Sequence, residues 1–148
     1  MTIYLNISHV LDAHEKVLKE SGGTPGALHA DYLEGILEFI QNDDYYPSFA
    51  EKLSYLTYSI AANHCFIDGN KRTAIATGMY FLIINDYDKE TISKFAKTME
   101  NIIPFTLQHT LSKDDLFEII TYIVWDIEPV ESKKLEYIQK LSNANKWV

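Results

Sequence analysis

Ten consecutive residues, His64-Cys65-Phe66-Ile67-Asp68-Gly69-Asn70-Lys71-Arg72-Thr73, gather a base, an acid, an amide, two cations and a turn glycine. Each type has a use if a polyphosphate is handled here. His64 can take a proton from an attacking hydroxyl. Asp68 offers the hard carboxylate oxygen that Mg²⁺ prefers when it also binds nucleotide phosphates. Gly69 permits the backbone angles of a phosphate-cradling nest, and the Asn70 amide can donate to a phosphate oxygen. Phe66, the large ring of the segment, is expected to point inward as its anchor. Taken singly these residues are ordinary, since Asp-Gly-Asn is a common turn and a His at a helix end is commonly a cap. Lys71 and Arg72 are harder to dismiss. At a helix N-terminus they oppose the dipole by roughly a few tenths of a kcal/mol each, and a bound polyphosphate reverses that sign.

The segment must be held between two helices. Ala74 to Ile84 is apolar nearly all round, which predicts a buried central helix starting near Asn70 or Lys71, with its free N–H groups facing the loop. Upstream, Ser48 and Glu51 read as a capping box, and Leu53, Leu56, Tyr58 and Ile60 carry a helix to about Asn63, leaving His64 at its end. Ile7, Val10, Leu11, His14, Val17 and Leu18 keep helical spacing, with Ser8 as the expected cap and Gly22-Gly23 as the stop. Leu33, Ile36, Leu37 and Ile40 form a second helix despite Gly35. A helix from Thr91 should end at Ile103, before Pro104. Ser112 with Asp115 opens another, whose pattern lasts until Pro129, and Leu135, Ile138 and Leu141 mark a last one. The expected class is therefore all-α, about seven helices, with residues 1–127 as the domain and 128–148 as its C-terminal helical extension. Short β pieces are allowed at Ile3–Leu5 or Gln41–Pro47.

A chain of 148 residues fits one domain. With 13 Lys and Arg against 21 Asp and Glu its net charge is -8, which disfavours nucleic acid and anionic membranes as partners. The single Cys65 cannot form an internal disulfide, and with no Cys/His partner pattern around it, it reads as a small buried residue. Met1 to Asn6 lacks the features of a signal peptide, and no apolar run reaches the roughly 18 residues of a membrane span. A cytoplasmic setting is expected.

The segment resembles the signature of the Fic/Doc family, His-Pro-Phe-x-Asp/Glu-Gly-Asn-Gly-Arg, and in its Asn70-Lys71-Arg72-Thr73 it is closer to the Doc (death-on-curing) toxin-like branch. Gly22-Gly23-Thr24-Pro25-Gly26, Leu33-Glu34 with Leu37, and Tyr46-Pro47-Ser48-Phe49-Ala50-Glu51-Lys52 are similar to Doc-type sequences as well. The resemblance implies transfer of part of a nucleotide to a protein hydroxyl, with ATP as substrate and Mg²⁺ as cofactor. His64 would be the general base, Phe66 the loop anchor and Asp68 the metal ligand. Gly69, Asn70, Lys71, Arg72 and Thr73 would form the phosphate site. Lys71 stands where AMP-transferring members carry Gly, and Ile75 where they carry a second Arg. Both departures point to the Doc-type kinases, which transfer the γ-phosphate to Ser or Thr. AMP transfer remains the alternative, as does a non-catalytic toxin–antitoxin binding module.

The resemblance also implies partners: a target in the translation machinery, elongation factor Tu among Doc-type toxins, and a small antitoxin with a disordered tail. Family members present targets on a flap beside the site, and Asp43, Asp44 and Tyr45 fall in the corresponding place, where an extended edge would pair with a target backbone. Ser132 and Glu136 have the spacing of the family's inhibitory helix. With Ile75 in place of the second Arg, that Glu lacks its usual partner, and self-inhibition is not expected.

Overall fold

A computed structural model describes residues 1–145 as seven helices: α1 (Ile7–Ser21), α2 (Ala30–Phe39), α3 (Phe49–Ala62), α4 (Asn70–Ile84), α5 (Lys89–Leu107), α6 (Lys113–Val124) and α7 (Glu131–Asn145). Among these residues there is no strand, only one isolated antiparallel bridge between Ala27 and Phe66. The all-α expectation holds, while the β pieces do not form. Residues 43–45 make a turn in which Asn42 Oδ1 accepts from the backbone N–H groups of Asp44 at 2.9 Å and Tyr45 at 3.3 Å. An Asn side chain that satisfies these amides removes the reason to extend.

The core has two axes rather than one. α4 packs against α1, α3 and α5, and α3 packs against α2, α4, α5 and α6. Six residues of α4 are buried, and nine of α3. Apolar periodicity understates α3 because four of its buried residues, Lys52, Ser54, Thr57 and Ser59, are polar. Small hydroxyl residues let helices approach closely, and Lys52 is matched where it lies, donating to Ile40 O and Asp43 Oδ1, both at 2.7 Å. At Gly78 α4 leaves no room for a side chain beside α5, since a Cβ there would lie 2.6 Å from Phe95 Cζ.

Two helix ends differ from expectation. The cap of α1 is Asn6, not Ser8: Asn6 Oδ1 accepts from His9 N at 3.2 Å and His9 Nδ1 accepts from Asn6 N at 3.1 Å, so His9 takes the role usually filled by Glu. α5 does not stop before Pro104 but runs through it to Leu107. The helix loses one hydrogen bond at the ring, a cost of about 3 kcal/mol, against the burial of Ile102, Ile103 and Thr106 around it. α7 is fastened to α6 by side chains: Tyr137 donates to Glu118 at 2.8 Å and Lys140 donates to both oxygens of Asp115 at 2.9 Å.

Candidate functional site

α3 ends at Asn63, and the chain leaves it through His64 in the left-handed region, φ 50°. A β-carbon in that region costs about 1 kcal/mol, and the His64 side chain is exposed. The next residues dive inward. Cys65 and Phe66 are buried, and burial pushes the Cys65 thiol up, so it is an inert filler rather than a nucleophile. The Cys65 carbonyl accepts from the N–H groups of Leu28 and His29 at 2.8 and 3.2 Å, and Ile67 N donates to Gly26 O at 3.0 Å. Residues 26–29 are thus the segment bonded alongside the loop, through these hydrogen bonds and the single Ala27–Phe66 bridge.

Phe66 points inward, buried beneath the loop, and its partner is a residue that the sequence places in the core pattern. The His14 ring stacks on Phe66 with centroids 3.8 Å apart and planes 10° from parallel. Its Nε2 donates to the Asp68 carbonyl at 2.8 Å. One buried imidazole therefore holds both the inward anchor and the backbone of the acid. Only its place in an apolar stripe of α1 could have drawn attention to it.

Asp68 is held from both sides. Its Oδ1 accepts from Gly69 N at 2.8 Å and its Oδ2 from Thr24 N at 3.1 Å. The Thr24 and Gly69 amides, with Arg72 and His14 nearby, hold its carboxyl below the usual carboxylate range against a weaker opposing effect of burial. Gly23 makes the approach of Thr24 feasible, because a Cβ at that position would lie 2.8 Å from Asp68 Oδ2. Each carboxylate oxygen keeps a second lone pair for another partner.

α4 then begins without a side-chain cap. Its N-cap is Gly69 at φ 79°, a left-handed conformation suited to glycine, and no acid stands in its first turn. The first-turn N–H groups point out of the helix toward a cavity of about 600 Å³. His64, Asp68, Gly69, Asn70, Lys71 and Arg72 all line it, with Tyr58, Leu107 and His109 on other walls. The sequence segment is thereby brought to one place. Thr73 and Phe66 are buried behind the cavity, Asp43, Asp44 and Tyr45 are not part of its lining, and His109 carried no sequence signal.

Two of the lining residues, Asn70 and Arg72, are tied in ways their types alone did not disclose, and a third, Lys71, is not. Asn70 accepts from Phe66 N and donates to Phe66 O, both at 2.9 Å, so its amide first braces the loop. The Arg72 guanidinium donates to the Ser21 hydroxyl and to Gly22 O, meeting the negative end of the α1 dipole. Lys71 is exposed and has no ion-pair partner among the described residues. Of the two cations only Lys71 is left facing an uncompensated helix start. Glu136, the acid of the inhibitory spacing, pairs instead with Lys133 and Lys140 on α7.

No described helix is long and apolar enough to cross a membrane. Over 42 residues the chain is 50% identical to the Toxin Doc of Mycolicibacterium smegmatis, a stretch that is 28% of this chain and 32% of that protein. The chain thus matches about a third of that curated relative's length. A model of the Fic/DOC family matches residues 4–82, more than half of the chain, and takes in α1, the braced loop and most of α4. The chain belongs to the Fic/DOC family.

Proposed function

We propose that this chain is a Doc-like, toxin-type protein kinase that moves the γ-phosphate of ATP to a Ser or Thr hydroxyl of a protein. Family members are in general nucleotide-dependent protein-modifying enzymes, which supports the transferase class. The observation that carries the finer reading is Lys71. It is an unpaired cation on an uncapped helix start, in the cavity it shares with His64 and Asp68. A long cation at that point narrows the space that the α- and β-phosphates take in AMP-transferring relatives, and it suits a nucleotide seated the other way round.

In this reading His64 removes the proton from the target hydroxyl at a ring nitrogen. The freed oxygen bonds to the γ-phosphorus while the bond from that phosphorus to the β–γ bridging oxygen breaks, and ADP leaves with the electron pair. The α4 N–H groups and Lys71 hold phosphate oxygens, and positioning supplies most of the rate. His14, Thr24 and Asn70 work through the loop, fixing where Asp68 and the nest stand. Asp68 fits Mg²⁺: it is kept ionised, and each of its oxygens has a lone pair free. Among the described residues no cluster of His, Cys, Asp or Glu forms a self-contained metal site, which suits a cation that arrives on nucleotide phosphates. When bound, that ion would neutralise phosphate charge.

The target and the control of this activity are also part of the proposal. Elongation factor Tu and a small antitoxin with a tail that folds on binding are the partners that the Doc resemblance supplies. The decisive experiment expresses the chain with purified elongation factor Tu or a cell extract and separately labelled ATP. Label from the γ-position is expected in a protein band and label from the α-position is not. The reverse result replaces phosphorylation by AMP transfer. Toxicity that survives His64→Ala replaces catalysis by a binding module.

A further inference from the structure

A second cavity adjoins the first along α3. It is a groove of about 690 Å³ between the α2–α3 turn and the start of α6, and Tyr58 lines both cavities. Asn63, next to His64 in the chain, lies on its wall. The groove therefore reaches the residue that precedes the proposed base in the chain.

The lining combines tyrosines, hydroxyls and two carboxylates with one lysine and the apolar Leu116 and Phe117, and Glu51 Oε1 accepts from the Ser48 hydroxyl at 3.2 Å. Tyr45 and Tyr58 offer aromatic faces, Glu51 and Asp114 offer carboxylates, and neither acid has a cationic partner among the described residues. Ser54 and Ser59, both more than nine-tenths buried, are also on its lining. Lys113 already shows what the aromatic wall accepts: its Nζ lies 4.7 Å from the Tyr58 ring centroid. One such cation does not balance two carboxylates on a chain of net charge -8. A polyphosphate would be repelled here, whereas a guanidinium or ammonium finds π faces, carboxylates and hydroxyl acceptors together.

We propose that this groove seats an Arg or Lys side chain of the target protein close to the hydroxyl that is modified, and so selects basic target segments. The inference rests on the reading that the chain modifies a protein hydroxyl at His64. It replaces backbone pairing at residues 43–45, which form a turn, by recognition through side chains.

The test titrates the full chain, observed through its Tyr ring resonances, with two blocked peptides, Ac-Ala-Arg-Ser-Ala-NH2 and Ac-Ala-Glu-Ser-Ala-NH2. The Arg peptide is expected to bind on the order of tenfold more tightly, to shift Tyr45 and Tyr58, and to lose its advantage as salt rises. In E51Q/D114N the preference should fall to about twofold or less, with the fold checked by thermal melting. The salt series on the unaltered chain gives the answer even if that variant does not fold. Equal affinity for the two peptides overturns the proposal. So does a preference insensitive to salt, or groove tyrosines that respond to adenosine and to neither peptide. The proposed function fails separately: a basic preference with no γ-label in any protein overturns the kinase reading and leaves the groove, and γ-labelling with no preference does the opposite.

Discussion

The first turns of α6 and α4 are built in opposite ways. At α6, Ser112 accepts from Asp115 N at 3.0 Å, Asp115 accepts from Ser112 N at 2.9 Å, and Lys140 closes the acid from α7. Asp114 and Asp115 both complement the dipole. At α4 the cap is a glycine, the acids are replaced by Lys71 and Arg72, and no side chain covers the amides. One helix start satisfies itself and the other is left open to something from outside. The pairing separates stability from function: changes at α6 should unfold the protein without altering its chemistry, and changes at the α4 end should do the reverse.

The largest effect expected is on chemistry. His64→Ala should lower transfer of label to the target about 10²- to 10⁴-fold, with the thermal midpoint unmoved because the ring is exposed and makes no hydrogen bond among the described residues. A midpoint that drops with activity would break the contrast. Next is ligand linkage. MgATP at a hundred times its dissociation constant should add about 2.7 kcal/mol to stability. Thermal melts at one fixed ligand concentration should show a smaller gain in Lys71→Ala and an unchanged gain in Ser112→Ala. An equal gain in Lys71→Ala would show that the open helix start is not where the anion sits.

Smallest, and confined to stability, is the closed end. Asp115→Ala should cost about 1–3 kcal/mol in denaturant unfolding, because it leaves Ser112 N–H and the Lys140 ammonium without their acceptor, while activity per folded molecule stays constant. Its pH dependence has a definite sign. Burial pushes Asp115 up, but the Ser112 amide and Lys140 outweigh it, so the folded value is depressed. Its contribution is complete above the ordinary carboxylate range and is lost as pH falls through the folded value. Asp115→Asn should therefore flatten the acid limb of the stability curve. A limb as steep as in the unaltered chain would remove Asp115 from the account.

Much of this contrast could be read from the chain because caps and apolar spacing are local. Ser48, Ser112 and the run Ala74–Ile84 each announce a helix within one or two turns of themselves. His9 in the role of Glu and the continuation through Pro104 were less legible: the first is an uncommon use of a residue type, and the second is a local rule overridden by the burial of Ile102, Ile103 and Thr106. At the site, residue types carried the chemistry and hid the orientation. Asn70 and Arg72 have donors that suit phosphate, yet Phe66 and the end of α1 hold them, which only the folded chain reveals. His14 meets Asp68 across 54 positions, and Ala27 meets Phe66 from a Gly- and Pro-rich stretch with no periodicity to betray it.

Gly78 gives this site a mechanical datum. A Cβ at Gly78 would lie 2.6 Å from the buried Phe95 ring of α5, so one methyl group there forces that ring or α4 to shift. The nest at Gly69 lies on the same rod, more than two turns away. A displacement of a few tenths of an ångström at the contact would be carried along that rod to the end proposed to face phosphate, where reacting atoms would tolerate little misplacement. The register of the site is thus set as firmly by a bare α-carbon in the core as by any residue that faces the cavity.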